Sequence, residues 1–306
     1  MAMPTLHDVH IEGPLANILI AYRNPNYIAD QVLPRVKVTK KSDKYFIFDR
    51  DSWFRDELAE RGPGDEAKEA DYGLTTGSYM CVTRALAKVV PDEVRNNADS
   101  PLRPDIEASE FVMDKLLLAR ERRVAAKTTG GSGTWVYSAT PATQWSSDTS
   151  NPLGDIDTAI DGVVSVIGRF PTVMVMSWQV WKALRSHPDL LDRIKYTRTD
   201  AIVRPEDLSQ WTGVPKILVG TQLYEKAQEG ATSSPAYIWG DQVWLGYVPD
   251  VPSLMTPAAG YILEWEAPVV KRYRLDTRHS DKIEVEHSSA EIISASDAGA
   301  VLYNVV

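Results

Sequence analysis

Residues 104–127 read PDIEASEFVMDKLLLARERRVAAK, and the spacing of their apolar residues predicts one long amphipathic helix. Pro104 suits the first turn of a helix, and the acidic residues after it favour the positive end of the helix dipole. Phe111, Leu118 and Ala125 begin a second apolar face. At 1.5 Å per residue the helix is about 35 Å long, enough to cross a whole domain. The main apolar face, at helical spacing, consists of Ile106, Met113, Leu116, Leu117 and Val124.

Two β-prone runs precede this helix and flank a long charged connection. Residues 45–48 form the first run and residues 78–90 the second, and Gly62-Pro63-Gly64 interrupts the charged residues between them. Two strands joined in this way predict a protruding hairpin. Its Trp53 and Phe54 leave two alternatives open, because these aromatic side chains can contact a partner or fold back onto the parent domain.

The rest of the chain predicts an N-terminal arm and an α/β region. Four prolines within residues 1–42 exclude a long helix there, and the short apolar pieces between them predict an extended arm docked against other structure. After the long helix, Asp155 and Ser177 are candidate caps of two further helices. A short helix is predicted at 206–211, and strands are predicted at 172–176, 216–220, 261–266, 269–276, 282–287 and 300–306.

Composition excludes several classes of protein. The 306 residues carry 42 acidic and 33 basic side chains, and the resulting net charge of −9 argues against a general nucleic-acid-coating surface. Cys81 is the single cysteine, so neither an intrachain disulfide nor a multi-cysteine zinc site can form. No apolar run approaches the roughly 20 residues that a membrane span needs, which predicts a soluble chain without a membrane partner.

The sequence contains no pattern that indicates a catalytic residue, a cofactor or a metal ligand. The glycine-rich turn at 130–133 lacks the lysine and hydroxyl residue of a phosphate-binding loop. The five histidines lack helical metal-ligand spacing, which favours surface or turn positions, and His187-Pro188-Asp189 predicts a helix end followed by a turn. Cys81 lies in an alternating strand without a histidine nearby in the sequence, which favours a small strand residue over a nucleophile. The sequence therefore predicts a protein that is not an enzyme.

Eight blocks of the chain agree in order and spacing with one known family, although none of them is a catalytic signature. They are residues 27–34 (YIADQVLP), 44–49 (KYFIFD), 53–57 (WFRDE), 90–95 (VPDEVR), 110–120, 189–196 (DLLDRIKY), 254–261 (LMTPAAGY) and 270–274 (VKRYR). In these blocks the chain resembles the major capsid proteins of tailed bacteriophages, the shell proteins with the Hong Kong 97-type fold. The resemblance extends over nearly the whole chain.

The resemblance implies an α+β, Hong Kong 97-like capsid fold with five parts. Residues 1–42 would be an N-terminal arm and residues 43–90 an extended β-hairpin loop. Residues 91–152 would form a peripheral domain with the long helix as its spine, and residues 153–258 an axial α/β domain. Residues 259–306 would return to the peripheral domain as strands.

The resemblance also implies a function, namely self-assembly into hexamers and pentamers that form the icosahedral head enclosing double-stranded DNA. The protein would be assembled in the host cytoplasm and reside in the virion capsid. Its partners would be further copies of itself, portal and scaffolding proteins, and in some systems a decoration protein. The predicted inter-subunit contacts are Trp53, Phe54, Arg55, Asp56 and Glu57. A local basic patch predicted to face the DNA without sequence readout consists of Arg120, Arg122, Arg123 and Lys127.

Two alternatives remain at the level of sequence. An encapsulin-like shell of a bacterial compartment would share the fold, and genomic neighbours would distinguish it from a phage protein. A soluble α/β hydrolase with unrecognised carboxylate or Ser/His groups belongs to a different class, and a turnover screen would detect it.

Overall fold

The computed structural model describes residues 27–64, 66–98, 103–131, 133–195, 202–251 and 258–306. In the first part of the chain, three short helices, a hairpin and two further strands precede the long helix. The elements are α1 (Ala29–Val32), β1 (Arg35–Lys37), β2 (Ser42–Phe48), α2 (Arg50–Phe54), β3 (Leu74–Met80), β4 (Val82–Pro91), α3 (Asp92–Asn96) and α4 (Pro104–Thr129). The predicted long helix is confirmed as α4, and the predicted arm within residues 1–26 lies outside the described residues.

The second part of the chain alternates helices and strands before two long antiparallel strands. The helices are α5 (Pro152–Ile167), α6 (Trp178–Arg185), α7 (Pro188–Ile194) and α8 (Pro205–Thr212). The strands are β5 (Tyr137–Ala139), β6 (Val173–Ser177), β7 (Lys216–Gly220), β8 (Leu223–Glu225), β9 (Pro235–Tyr237), β10 (Val243–Gly246), β11 (Gly260–Leu275), β12 (Ser280–Ile293) and β13 (Gly299–Leu302). No helix among these described residues is long and apolar enough to cross a membrane.

Helix α4 packs along a four-stranded sheet of order β1-β11-β12-β4. The N-terminal half of the helix buries a small apolar core with Val90, Val270, Ile283 and Val285 of the sheet, against Ala108, Val112, Met113, Leu116 and Leu117 of the helix. The second apolar face predicted from Phe111 does not form, because Phe111 is half exposed while Ala125 is buried with the main stripe. Because the sheet covers only one side of the helix, it buries a single apolar stripe.

A second sheet of five strands has the order β5-β13-β10-β6-β7. Strand β10 is antiparallel to its neighbours, whereas the other four strands run parallel to one another. Strands β6, β10 and β13 are buried along their whole length. Strand β13 thus belongs to this sheet, which corrects the prediction that residues 259–306 all return to the sheet of the long helix.

Two helix starts differ from the sequence prediction. Helix α5 begins at Pro152, where Asn151 is the cap and its side chain accepts a hydrogen bond from Gly154 N, whereas Asp155 accepts one from Trp145 Nε1 at 2.8 Å. Pro188 begins helix α7 instead of a turn, because proline fits the first helical position and the His187 ring accepts from Asp189 N. The Ser177 cap of α6 is confirmed, with its hydroxyl accepting from Val180 N.

Candidate assembly interface

Strands β2 and β3 form a hairpin that belongs to neither large sheet. They pair antiparallel from Ser42 opposite Met80 to Phe48 opposite Leu74. At its base, Cys81 N donates to Lys41 O at 2.8 Å, and the buried Cys81 thiol approaches Leu263 O. Burial raises the pKa of this thiol. The predicted single strand 78–90 is therefore two strands, because the chain passes at Cys81 from the hairpin into the four-stranded sheet.

The hairpin exposes large apolar side chains that it cannot bury by itself. Trp53, Phe54 and Leu58 are 58%, 65% and 97% exposed. Trp53 does pack, but on the hairpin's own Phe48 and Tyr72, with ring centroids 6.0 and 6.3 Å away. The aromatic residues thus form a small cluster within the hairpin and leave much of their surface open to solvent.

The connection between the hairpin strands is strongly acidic. Residues 49–71 contain nine carboxylates and four cationic side chains, so this segment carries −5 of the chain's net −9. Its local contacts are short-range, such as the ion pair of Arg55 with Glu57 at 3.2 Å and the hydrogen bond from Leu58 N to Asp56 Oδ1. Arg50 forms an ion pair at 3.3 Å with Asp297, which precedes β13. The predicted contact residues 53–57 are therefore brought together on one exposed acidic and aromatic segment.

The four cations of the predicted basic patch lie on different faces of α4. Arg120 is buried and donates to Asp30 at 2.9 Å, while Arg123 donates to Glu291 at 3.0 Å. Arg122 is exposed, with its guanidinium 4.3 Å from the Tyr224 ring centroid, and Lys127 is also exposed. Residues three apart share a helix face, so positions 120 and 123 face the sheet while position 122 faces solvent. The four cations therefore do not form the one exposed patch that was predicted, and of the four only Arg122 and Lys127 are exposed.

Glu121 fixes the arm to the long helix. Its carboxylate is buried and accepts from Ala29 N at 2.7 Å, Ile28 N at 3.1 Å and Trp239 Nε1 at 2.8 Å. Burial raises the pKa of Glu121, and the hydrogen bonds oppose that rise. The contact satisfies the first N–H groups of α1, which lacks another side-chain cap. For residues 27–37 the predicted docking of the arm is therefore confirmed.

Six charged side chains form an ion cluster that the sequence analysis missed. Arg95, Arg272 and Arg274 each donate to Asp281, and the other two acids are Asp92 and Asp105. Burial alone would raise the pKa of Asp281, but the hydrogen bonds from the three arginines lower it to about 2. The cluster joins two of the family-like blocks, 90–95 and 270–274. The sequence signal for this cluster is that Arg272 and Arg274 precede the turn at 276–279 and Asp281 follows it.

A Ser–His pair is the nearest approach to catalytic geometry. His187 Nε2 lies 3.0 Å from Ser150 Oγ and 3.2 Å from Ser147 O, while Nδ1 accepts from Asp189 N. A ring that accepts at Nδ1 carries its proton on Nε2, so in this arrangement it cannot take a proton from Ser150. The pair therefore caps α7 and joins it to the 147–150 turn.

Two histidines differ from the predicted surface or turn positions. His187 is buried, and so is His287, whose Nε2 lies 2.8 Å from Glu264 Oε1. His279 does occupy a turn, with the left-handed φ of 43°. No group of three or more potential metal ligands occurs among the described residues.

Two known proteins match this chain over nearly its whole length and nearly the whole of their own. The chain is 27% identical over 321 aligned positions to the "Major capsid protein" of Burkholderia phage BcepMu, covering 99% of both chains. It is 28% identical over 307 positions to the "Major capsid protein" of Pseudomonas phage JBD67, covering 97% of both. No protein-family model matches the chain.

Solved structures extend the likeness to the fold. A phage-related protein from Bordetella bronchiseptica RB50 matches with a TM-score of 0.76 and 25% identity, over 97% of this chain and 98% of that one. The capsid of a native GTA particle matches with a TM-score of 0.60 and 14% identity, over 99% and 95%. The SrpI encapsulin of Synechococcus elongatus PCC 7942 matches with a TM-score of 0.56 and 12% identity, over 100% and 91%, which shows a shared fold alone. Over its whole length, the chain thus resembles the major capsid proteins of bacteriophages in sequence and has the α+β fold of solved capsid proteins.

Proposed function

We propose that this chain is the major capsid protein of a tailed bacteriophage, with a Hong Kong 97-type fold, and that it assembles into hexamers and pentamers of an icosahedral head. The observation that carries the proposal is the agreement in sequence with two phage major capsid proteins over 97–99% of each chain. Two-way coverage matters because the agreement extends over nearly the whole of this chain and of each relative. An encapsulin-like shell shares the fold, but the sequence relatives favour the phage protein.

The hairpin supports assembly on physical grounds. An isolated two-stranded sheet is at best marginally stable in water, so an exposed hairpin with large aromatic residues gains from a second surface. We infer that Trp53, Phe54, Arg55, Asp56 and Glu57 contact a neighbouring copy. The acidic charges around them would fix the register of that contact more than its strength.

A surface of complementary chemistry lies on the outer side of α4 and β4. Phe111 is 50% exposed, and the ammonium groups of Lys88 and Lys115 lie 5.3 and 5.5 Å from its ring centroid. A cationic, aromatic surface suits an acidic, aromatic segment of another copy. This surface is accordingly the proposed acceptor of the hairpin in the shell.

The proposed function also implies a contact with DNA, further protein partners and a location. Arg122 and Lys127 would contact packaged double-stranded DNA through phosphates, without sequence readout. Portal and scaffolding proteins, and in some systems a decoration protein, would be further partners. The proposed location is the virion capsid, after assembly in the host cytoplasm.

The decisive experiment is assembly of the purified chain, followed by light scattering and electron microscopy. We expect closed particles or capsomers built from the chain alone or with scaffolding protein. A monodisperse monomer under all assembly conditions would contradict the proposal. A turnover screen on the same sample tests the hydrolase alternative, since reproducible turnover that depends on Ser150 would support an enzyme.

A further inference from the structure

The two edges of the five-stranded sheet differ in shape. Because β5, β13, β6 and β7 run parallel, their carboxyl ends share one edge and their amino ends the other. An open cavity of about 890 Å³ lies at the carboxyl edge, between the start of α6, the β8–β9 region and the residues before β10. The amino edge exposes apolar side chains instead, namely Val136, Phe170 and Val251.

The cavity combines an apolar lining with charges of both signs. Trp145, Ala183, Pro235 and Tyr237 are among the lining residues. Lys182, Lys226, Asp148 and Asp241 also line it, and none of these four forms an ion pair with another described residue. Unpaired charges around an open cavity leave room for a partner that carries charges of both signs.

The amino edge presents such charges on a well-held loop. Phe170 is 62% exposed and follows Gly168, whose left-handed φ of 65° ends α5. Thr172 Oγ1 donates to Val248 O at 2.7 Å and accepts from Val248 N at 2.8 Å, which fixes the loop to the chain after β10. Arg169 donates to Tyr247 Oη at 2.9 Å beside Phe170. The apolar side chain is thus presented by a loop with little freedom.

Both edges carry charges of both signs. Arg169 lies beside Phe170 at the amino edge, and Asp250 lies beside the 76% exposed Val251. Arg169 matches the cavity's aspartates, and Asp250 matches its lysines. Strand β6 joins the two edges, and its five residues span roughly 17 Å.

We propose that the amino edge of one copy packs into the carboxyl-edge cavity of a second copy, with Phe170 inserted between the cavity's charged residues. The two surfaces lie on opposite edges of one sheet, so the contact is head-to-tail and uses each surface once per copy. Repetition of a head-to-tail contact gives a ring when the rotation closes. The inference rests on the proposed function, because the ring it describes is the capsomer, and it names the contact that holds the ring together.

The test uses two variants, each of which disables one of the two surfaces. Phe170→Asp places a charge on the exposed aromatic position, and the double change Lys182→Glu and Lys226→Glu reverses the cations of the cavity. All three side chains are exposed, so thermal unfolding should match the wild-type chain. Mass photometry should show rings for the wild-type chain and monomers for each variant, with association weakened at least 100-fold. Phe170→Leu, which keeps an apolar side chain, should still form rings.

Mixing the two variants separates loss of this contact from a general loss of folding or solubility. Each mixed pair retains one intact amino edge and one intact cavity, so an equimolar mixture should form dimers and stop there. Rings from Phe170→Asp alone, or from the mixture, would overturn the inference while leaving the proposed function intact. A wild-type chain that never assembles would instead overturn the proposed function together with the ring.

Discussion

Replacing both Trp53 and Phe54 with alanine should prevent shell closure while leaving the subunit folded. Full burial of a large apolar side chain stabilises by roughly 1.5–3 kcal/mol. Because 58% and 65% of the two side chains are still exposed in the subunit, about 1–2 kcal/mol per residue is available to an intersubunit contact. The pair would then contribute about 2–4 kcal/mol per contact, equivalent to roughly 30- to 1000-fold in the association constant.

The subunit itself should lose little stability. Trp53 packs on Phe48 and Tyr72 within the hairpin, and an aromatic contact of that kind contributes about 0.5–1.5 kcal/mol. Phe54 has no aromatic neighbour within the described part of the hairpin. Thermal unfolding of dissociated subunits should therefore shift by only a few degrees, because helix α4 and both large sheets are untouched.

The assay compares assembly by electron microscopy with unfolding of dissociated subunits. The matched control is the pair Trp53→Phe and Phe54→Leu, which keeps a large apolar side chain at both positions and should assemble. If the alanine variant forms normal shells but unfolds far below the wild-type temperature, these aromatic residues belong to the subunit's own core. The hairpin would then not be an assembly surface.

Three further predictions concern stability and DNA. Asp281 has a folded pKa of about 2, below its unfolded value, so its stabilising contribution is present above about pH 4 and is lost as pH falls towards 2. Asp281→Asn should reduce the pH dependence of the free energy of unfolding over that acid range. An unchanged pH profile would contradict the proposed role of the arginine cluster. Glu121→Ala leaves three buried N–H donors unpaired and should destabilise by roughly 2–4 kcal/mol in urea titrations, whereas a change below about 0.5 kcal/mol, the size of a surface substitution, would refute this role. Arg122→Glu with Lys127→Glu should reduce the salt slope of duplex binding by about 2 and weaken all sequences alike, whereas a sequence-dependent loss would argue for base readout.

Local pattern was sufficient for elements whose partners lie nearby in the chain or whose periodicity is strong. The apolar spacing in 104–127 located α4 to within two residues at its C-terminal end, and the apolar run 216–220 matched β7 at both ends. Two β-prone runs around a charged segment also predicted a hairpin, but only residues 78–80 of the second run lie in its strand β3, and the run from Val82 onward is β4 of the four-stranded sheet. These elements depend on helix periodicity, capping and β-propensity, which short stretches of sequence contain.

Local sequence pattern was enough to predict the long helix, a hairpin and the acidic segment, and to show the resemblance to phage capsid proteins. Which charges are available depends on tertiary packing, because Arg120 and Arg122 are two residues apart, yet Arg120 is buried against Asp30 and Arg122 is exposed to solvent. Tertiary packing also placed β13 beside β10, and Asp92 beside Arg274, across more than 50 and 180 residues of chain. Such pairings depend on how sheets and helix pack together, since burial and electrostatic pairing act through space and not along the sequence.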